Sequence, residues 1–372
     1  MKAVPAVLAR GGSSRGLLIT EAALGGMSEA ERRKAFAFAV GSPDPDARQV
    51  NGVGGGNVTT SKVAVVAPPK SPEHDVDYSF YQVIVATGES ETRGTCGNLV
   101  AAVGQFAITN GFVAAKAPAT VVRIHDVNTG QTIEAEVPVK DGKVAIDGDW
   151  KIAGVPGTGA PIPVRFMDPG GRVTGNLLPT GGILDRYTID GAAIDVSLVD
   201  SVNPVVLVHA TSLPPDTPWH LTGIESDAKL NAFLEAVRRR AAVAFGLAAD
   251  EETAGKTAPY IPFVGMYWDR QMAGQPVPAA IKPDPNADAV VRLMSGGLPH
   301  RAVPLSAGLA TATLTRLRAL EAGGAGGAQR IRLEHPSGLL DIDVDAERGG
   351  PVRSVGVTQT ARPIMAGDVF FP

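Results

Sequence analysis

A chain of 372 residues exceeds one ordinary core and fits two domains of roughly 100–200 residues each. With 44% hydrophobic and 19% charged residues the balance is globular, while 44 glycines, 29 prolines and 5% aromatics favour short strands and turns over a helical bundle. The net charge of -4 comes without a basic run, which excludes a nucleic-acid partner held through phosphates. One cysteine excludes an intramolecular disulfide, and no stretch reaches the roughly 20 apolar residues of a membrane span. The opening MKAVPAVLARGGSSRG breaks into Arg and Gly before a signal-peptide core could form, so the expected compartment is the cytoplasm. The glycosylation pattern Asn57-Val58-Thr59 is discounted accordingly.

In chain order, an apolar strand, the turn RGGSSRG and a second apolar strand run from Ala6 to Ile19. Ser28 with Glu31 then forms a capping-box pattern ahead of Phe36, Phe38 and Val40 and predicts a helix. GVGGGNVTTSK ends on Lys62 and leads into an apolar strand from Val63 to Val66, and His74-Asp75-Val76-Asp77 reads as an exposed turn. The small-residue turn Gly94-Thr95-Cys96-Gly97-Asn98 opens a helix with Leu99, Val103 and Phe106 on one face, ending at Asn110-Gly111. A hairpin, VRIHDVNTGQTIEAEV, follows from Val122.

The same four landmarks return in the same order. A strand–turn–strand runs from Val196 to Val208 around DSVNP, and Thr222 with Glu225 precedes Leu230, Phe233, Leu234 and Val237. Pro304-Leu305-Ser306-Ala307-Gly308 opens a helix with Leu309, Leu314 and Leu317, and a hairpin, IRLEHPSGLLDIDV, starts at Ile331. The pattern predicts a duplicated α+β chain of two similar lobes, 1–190 and 191–372, with the last strand free to return to the first lobe. The most apolar helices would run through the middle of each lobe and turn their N-termini toward one another across a cleft. Unpaired N–H groups and a partial positive charge at those ends favour a carboxylate or an enolate.

Cys96 stands where the first of these helices begins, a position that stabilises a thiolate. A lone cysteine is more often a small buried apolar residue, but glycines on either side let a ligand approach the backbone. Lys62 sits at the mouth of a strand, where a partly dry site beside other cations would make it a base; a strand-edge lysine is more often solvated. The glycine-rich loops lack the spacing of a Walker A loop or a GxGxxG dinucleotide site. As nests of N–H groups they would hold a carboxylate, with hydroxyls from Ser13 and Ser14 and charge from Arg10 or Arg15. The six histidines show no paired metal-ligand spacing, and neither a metal nor another cofactor is expected. His300-Arg301 lies just ahead of the second central helix.

RGGSSRG at 10–16, the run from Gly41 to Val66, HDVDYSFYQV at 74–83, CGNLVAAVGQFAI at 96–108, GNLLPTGG at 175–182, VDSVNPVVLV at 199–208 and the ending ARPIMAGDVFFP together resemble one family. It is the PrpF-type isomerases, which include 2-methylaconitate cis-trans isomerase, 4-oxalomesaconate tautomerase and methylitaconate delta-isomerase. The resemblance implies the diaminopimelate epimerase-like fold, two lobes each with a curved mixed sheet around a central helix, and an active site in the cleft between them. It places the catalytic pair on Lys62 and Cys96 and the substrate-binding groups on Ser13, Ser14, Gly97, Asn98, Arg301 and Ser306. The chain departs from the family pattern at RGGSSRG, at GTCGNL and at PLSAG in the second lobe, and these departures bear on substrate identity.

Epimerases and racemases of this fold use two cysteines, one per central helix, and here the second position carries Leu305-Ser306. What remains is an isomerase with one thiol and one lysine, expected to move a double bond by a 1,3-allylic proton shift in a small unsaturated di- or tricarboxylate. Rotation about a delocalised bond, giving cis–trans isomerisation, would use the same two residues, and an accessory protein that binds polycarboxylates without turnover is the rival of another class. The expected partner is the small substrate, with no nucleic acid and no membrane; a homodimer is compatible with the sequence.

Overall fold

In the computed structural model all residues from Met1 to Pro372 are described, and the chain divides into two units, Met1–Arg165 with Thr358–Pro372 and Phe166–Val357. In the first unit β1 (Lys2–Gly11) and β2 (Ser14–Thr20) form a hairpin, and α1 (Glu29–Val40) carries the chain to β3 (Lys62–Ala67), which lies parallel to β2. β4 (Val76–Val83) returns antiparallel, and short β5 (Ser90–Glu91) precedes α2 (Val100–Thr109). β6 (Ala119–Asp126) runs parallel to β4 and pairs in a hairpin with β7 (Gln131–Lys140), after which come short β8 (Lys143–Val144) and β9 (Ile162–Met167). Each parallel step is bridged by a helix, as two parallel neighbours require. The closing strand, Ala361–Phe371, pairs antiparallel with β1, from Lys2 opposite Phe371 to Gly11 opposite Ala361.

The second unit repeats this plan. β10 (Asp185–Ile189) takes the place of the closing strand beside β11 (Ala192–Ser201), which forms a hairpin with β12 (Asn203–His209). Helices α3 (Leu221–Ser226), α4 (Ala228–Ala244) and α5 (Glu251–Thr257) lead to β13 (Phe263–Asp269), parallel to β12, and then to antiparallel β14 (Ala289–Ser295). Short β15 (Leu298–Pro299) and α6 (Leu305–Glu321) precede β16 (Gly327–His335), which runs parallel to β14 and makes a hairpin with β17 (Gly338–Ala346); β18 (Val352–Gln359) follows. The succession of hairpin, parallel neighbour, antiparallel return, parallel neighbour and hairpin is the same in both.

Burial follows from where the apolar residues fall. In α2 every residue from Val100 to Ile108 is buried, because Val, Ala, Phe and Ile occupy all sides of it and the first sheet curls round it from β1 to β7. Gly104 is what lets β7 close: a Cβ there would lie 2.9 Å from Val137 and 3.0 Å from Ala135. β7 itself alternates, with Ile133, Ala135, Val137 and Val139 facing in. β12 is buried on both faces, with α6 packed against it and α4 also touching it, so its run PVVLVH is continuous rather than alternating. Helix α1 packs Phe36 and Val40 against Leu17, Ile19, Val63, Val65, Tyr81 and Phe371 on the other face of the first sheet.

The capping box at Ser28 forms as read, with Glu31 Oε2 accepting from the Ser28 amide at 2.7 Å. Its later counterpart differs. Thr222 and Glu225 fall inside the short α3, and α4 is capped instead by Asp227, whose carboxylate accepts from the Leu230 amide at 2.9 Å. The unit division also lies earlier than residue 190. Asp200 on β11 fastens the preceding segment, accepting from the amides of Val173 and Thr174 at 3.0 and 2.7 Å. No helix is long and apolar enough to cross a membrane. Replacement of the true cap, Asp227→Ala, is expected to lower stability by about 1 kcal/mol, whereas Thr222→Ala is expected to be near neutral; urea midpoints of the two variants check this.

Candidate active site

The turn joining β1 to β2 and the segment leading into α2 are built against each other. A Cβ on Gly11 would meet Asn98 O at 2.6 Å and Leu99 Cα at 2.9 Å, and one on Gly12, whose φ is +52°, would meet Asn98 Oδ1 at 2.2 Å. Only glycine fits both places. The close approach lets the Ser13 amide donate to Asn98 Oδ1 at 3.2 Å, so two of the expected substrate-binding residues touch. Ser14 opens β2 and is buried; Gly16, farther along it, would place a Cβ 3.1 Å from both Lys62 Cβ and Leu99 Cδ2. The start of β3 and the start of α2 therefore flank one strand.

Lys62 is 9% exposed. Its Nζ donates to Gln82 Oε1 at 2.8 Å and stands 5.1 Å above the Phe80 ring. Gln82 faces Lys62 across the β3–β4 pair, and its own Nε2 donates to Ser61 O at 3.0 Å, which fixes the direction of the amide. The groups the lysine meets are thus an amide and an aromatic face, not the cations expected from the sequence. Phe80 is held in turn by Asn128, whose side chain accepts from the Phe80 amide at 3.0 Å and donates to Phe80 O at 2.8 Å and Thr92 O at 2.7 Å.

Cys96 is 6% exposed and follows that anchored stretch; its carbonyl accepts from the Leu99 amide at 3.1 Å. Gly97 and Asn98 are buried beside it. Beneath lies Tyr78, wholly buried, with its hydroxyl against the Cys96 backbone and the Thr95 side chain; burial pushes that hydroxyl well above the usual tyrosine range. Asp126, at the end of β6 and equally buried, has its carboxyl pushed up to about 6 by burial, a shift that Thr95, the amides of Asn128 and Thr129, and His125 oppose.

Helices α1, α4 and α5 are capped by Ser28, Asp227 and Asp250, while neither α2, preceded by Leu99, nor α6, preceded by Pro304, has a side-chain cap. The two central helices thus leave their first N–H groups uncovered by a capping side chain. In the second unit Ser306, in the first turn of α6, accepts from Asn203 Nδ2 at 2.8 Å, so again the hairpin turn reaches the start of the central helix. Val202, in that turn, holds φ at +69°, in the left-handed region that Gly12 occupies in the first unit.

Arg301 is not drawn into this arrangement. Its side chain is 84% exposed and points to Glu225, 3.8 Å away. His74-Asp75-Val76-Asp77 is also not a turn throughout: β4 begins at Val76, and buried Asp77 meets His125 Nδ1 at 3.2 Å. His209 is a core residue that shares a hydrogen bond of 2.8 Å with Ser197, its imidazole pushed down to about 4 by burial. Gln82, Asn128, Tyr78 and Asp126 were not singled out from the sequence. The one available signal was the Asp126–Gly130 hairpin turn, where Asp and Asn ordinarily denote only local turn bonding.

Solved structures define the class. The crystal structure of methylitaconate-delta-isomerase matches with a TM-score of 0.78 and 34% identity, covering 100% of this chain and 96% of the other. A hydroxyproline epimerase from Agrobacterium vitis, at a TM-score of 0.57 and 12% identity over 99% of this chain and 91% of that one, shares the fold. Among sequences, the chain is 36% identical to 3-methylitaconate isomerase of Eubacterium barkeri, over 99% of this chain and 97% of the relative. It is 33% identical to 4-oxalomesaconate tautomerase of Pseudomonas putida, over 98% and 95%. The protein is an isomerase of epimerase-like α+β fold. It belongs to the PrpF protein family, whose model matches residues 1–372.

Two outcomes follow from this geometry. Gly12→Ala, strained in φ and driven against Asn98, is expected to lower stability by about 1–3 kcal/mol in urea denaturation. For Asp126, the unfolded chain releases its proton near pH 4 while the folded chain holds it to about 6, so stability falls as pH rises through that window. Asp126→Asn escapes this loss. Its stability relative to wild type is expected to gain roughly 2 kcal/mol between pH 4 and pH 7, at 1.36 kcal/mol per unit, in urea midpoints taken at both ends.

Proposed function

We propose that the protein catalyses a 1,3-allylic proton shift in a small unsaturated di- or tricarboxylic acid, of the kind represented by 2-methylaconitate, 4-oxalomesaconate or aconitate. The observation that carries the reading is the contrast in capping. The two central helices alone among the longer ones have no side chain over their first N–H groups, and one of them begins at Val100, four residues after Cys96 rather than at it. Such a terminus favours an anion, and the charge that builds up when a proton leaves carbon beside a carboxylate is anionic.

In this reading Lys62 takes a proton from the carbon next to the double bond. The electron pair of that C–H bond delocalises through the alkene into the carboxylate, giving a dienolate. Cys96 then gives its proton to the carbon two positions away, a new C–H bond forms, and the double bond has moved. The lysine is left protonated and the cysteine as thiolate, and exchange with water restores both. Gln82 and Phe80 fix where the amine stands. Ser13, Asn98, Gly97 and Ser14 would hold the carboxylates. The names of the relatives support the substrate class, since they specify methylitaconate, oxalomesaconate and methyl-aconitate.

Proton NMR in deuterium oxide with 2-methylaconitate, 4-oxalomesaconate, aconitate and methylitaconate tests the reading. Wild type is expected to isomerise at least one of them and to place deuterium at the carbon where the new bond forms. Lys62→Ala and Cys96→Ala should each lose about 10²–10⁴-fold in kcat, the usual contribution of a general acid or base. Variants as fast as wild type would overturn the assignment. Binding by calorimetry without any exchange would favour the accessory-protein reading.

A further inference from the structure

Along one face of α2 the first unit carries a cleft of about 540 Å³, within the range of small-molecule sites, that the isomerase reading does not use. It is bounded by β1, β2, the β7–β8 turn and the closing strand, and the helix contributes Ala102, Gln105, Phe106 and Thr109 at the spacing of a single face. None of Ser13, Ser14, Lys62, Cys96, Gly97 and Asn98 lines it. Buried Leu18, Ala102 and Gln105 form the floor, while Thr109, Asn110 and Lys143 are exposed at the rim. Asn110 is already turned to its own helix, its Nδ2 donating to Phe106 O at 2.9 Å. Such a cleft suits water poorly. At the volume of the liquid it has room for roughly eighteen molecules, each needing several polar partners, and the floor offers only the Gln105 amide. An apolar occupant is favoured, and because the floor is buried beneath an open rim it is a slender chain rather than a flat surface.

The rim is cationic. Lys143 is the only charged residue that lines the cleft, and Lys140 stands directly opposite it in the β7–β8 pair. Opposed residues of an antiparallel pair project from the same face, so two ammonium groups are neighbours, an unfavourable pairing that an anion at the rim would relieve. The protein supplies none. Its side-chain ion pairs all use arginine or histidine, and Asp141, in the turn between the two lysines, pairs with neither.

We propose that this cleft binds a free medium-chain carboxylic acid, its alkyl chain lying along α2 over Leu18 and Ala102 and its carboxylate at the Lys140–Lys143 rim. The helix face from Ala102 to Thr109 runs for about 10 Å, which sets the chain at roughly eight to ten carbons. One molecule thereby meets both features, the apolar floor and the uncompensated positive rim. The site is independent of the allylic reading, and its test needs no turnover.

Calorimetric titration of the full chain with hexanoate, octanoate and decanoate, each as the free monomer at low salt, tests this. Affinity is expected to rise about fourfold per added methylene as the floor is covered. Lys143→Glu should weaken decanoate binding by roughly tenfold or more, and the loss should shrink as salt is added. Ala366→Trp, on an exposed residue of the closing strand that lines the cleft, should block the chain, whereas Lys70→Glu, exposed and outside the cleft, should leave binding unchanged. Both test substitutions fall on exposed positions, and circular dichroism checks that each variant is folded. Equal decanoate affinity in wild type, Lys143→Glu and Ala366→Trp, or no binding at millimolar decanoate, would overturn the proposal. So would a wild-type dimer that Ala366→Trp converts to monomer in sedimentation, since a second copy would then occupy the cleft, or retention on anionic phospholipid vesicles that free decanoate fails to displace.

Discussion

The first unit is organised by the close approach of a glycine turn to the segment that leads into α2. At Gly11 and Gly12 the β1–β2 turn runs so near Asn98 and Leu99 that any Cβ would overlap their atoms, at 2.6 Å and 2.2 Å. Because backbone meets backbone at Gly11 and the Asn98 side chain closes on Gly12, the turn and the helix start cannot shift independently. Everything placed by either one inherits that rigidity: the Ser13 amide on Asn98, Gly16 between Lys62 and Leu99, and Cys96 two residues ahead of Asn98. A site assembled from such an approach is more exact than one built on flexible side chains, and it is correspondingly intolerant of substitution.

The duplication gives the same scaffold twice but not the same chemistry. Both hairpin turns reach the start of a central helix, and both helices lack a capping side chain. In the second unit, however, the left-handed turn residue is Val202, the residue before the helix is Pro304, and a hydroxyl from Ser306 paired with Asn203 stands in the first turn. One copy carries a cysteine ahead of its central helix, and the other carries a serine in the first turn. Lys62 lies on a strand and has no place in the helix-start symmetry.

Much of this was legible in the sequence because it is written in periodicity and turn chemistry. The four repeated landmarks correspond to the β1–β2 and β11–β12 hairpins, α1 and α4, α2 and α6, and the β6–β7 and β16–β17 hairpins. The cap at Asp227 was missed because Thr222 and Glu225 satisfy the same local pattern a turn earlier, and only the break between α3 and α4 decides between them. Gln82, Tyr78 and Asp126 were invisible for another reason. Their roles depend on which strands become neighbours, β3 beside β4 and β4 beside β6, and pairings over such sequence distances leave no local mark. Arg301 shows the converse, since its nearness to Ser306 along the chain gave no information about where a long, charged side chain would settle.

The closing strand carries a consequence for how the molecule comes into being. Residues 361–371 complete the sheet that residues 2–11 begin, whereas the second unit is contained in the span from Phe166 to Val357. On the ribosome the order of maturation is therefore the reverse of the order of the genetic message. The second unit has all of its strands while the first still waits with β1 unpaired along one edge, and the half that holds Cys96 and Lys62 closes only when the last strand has been released.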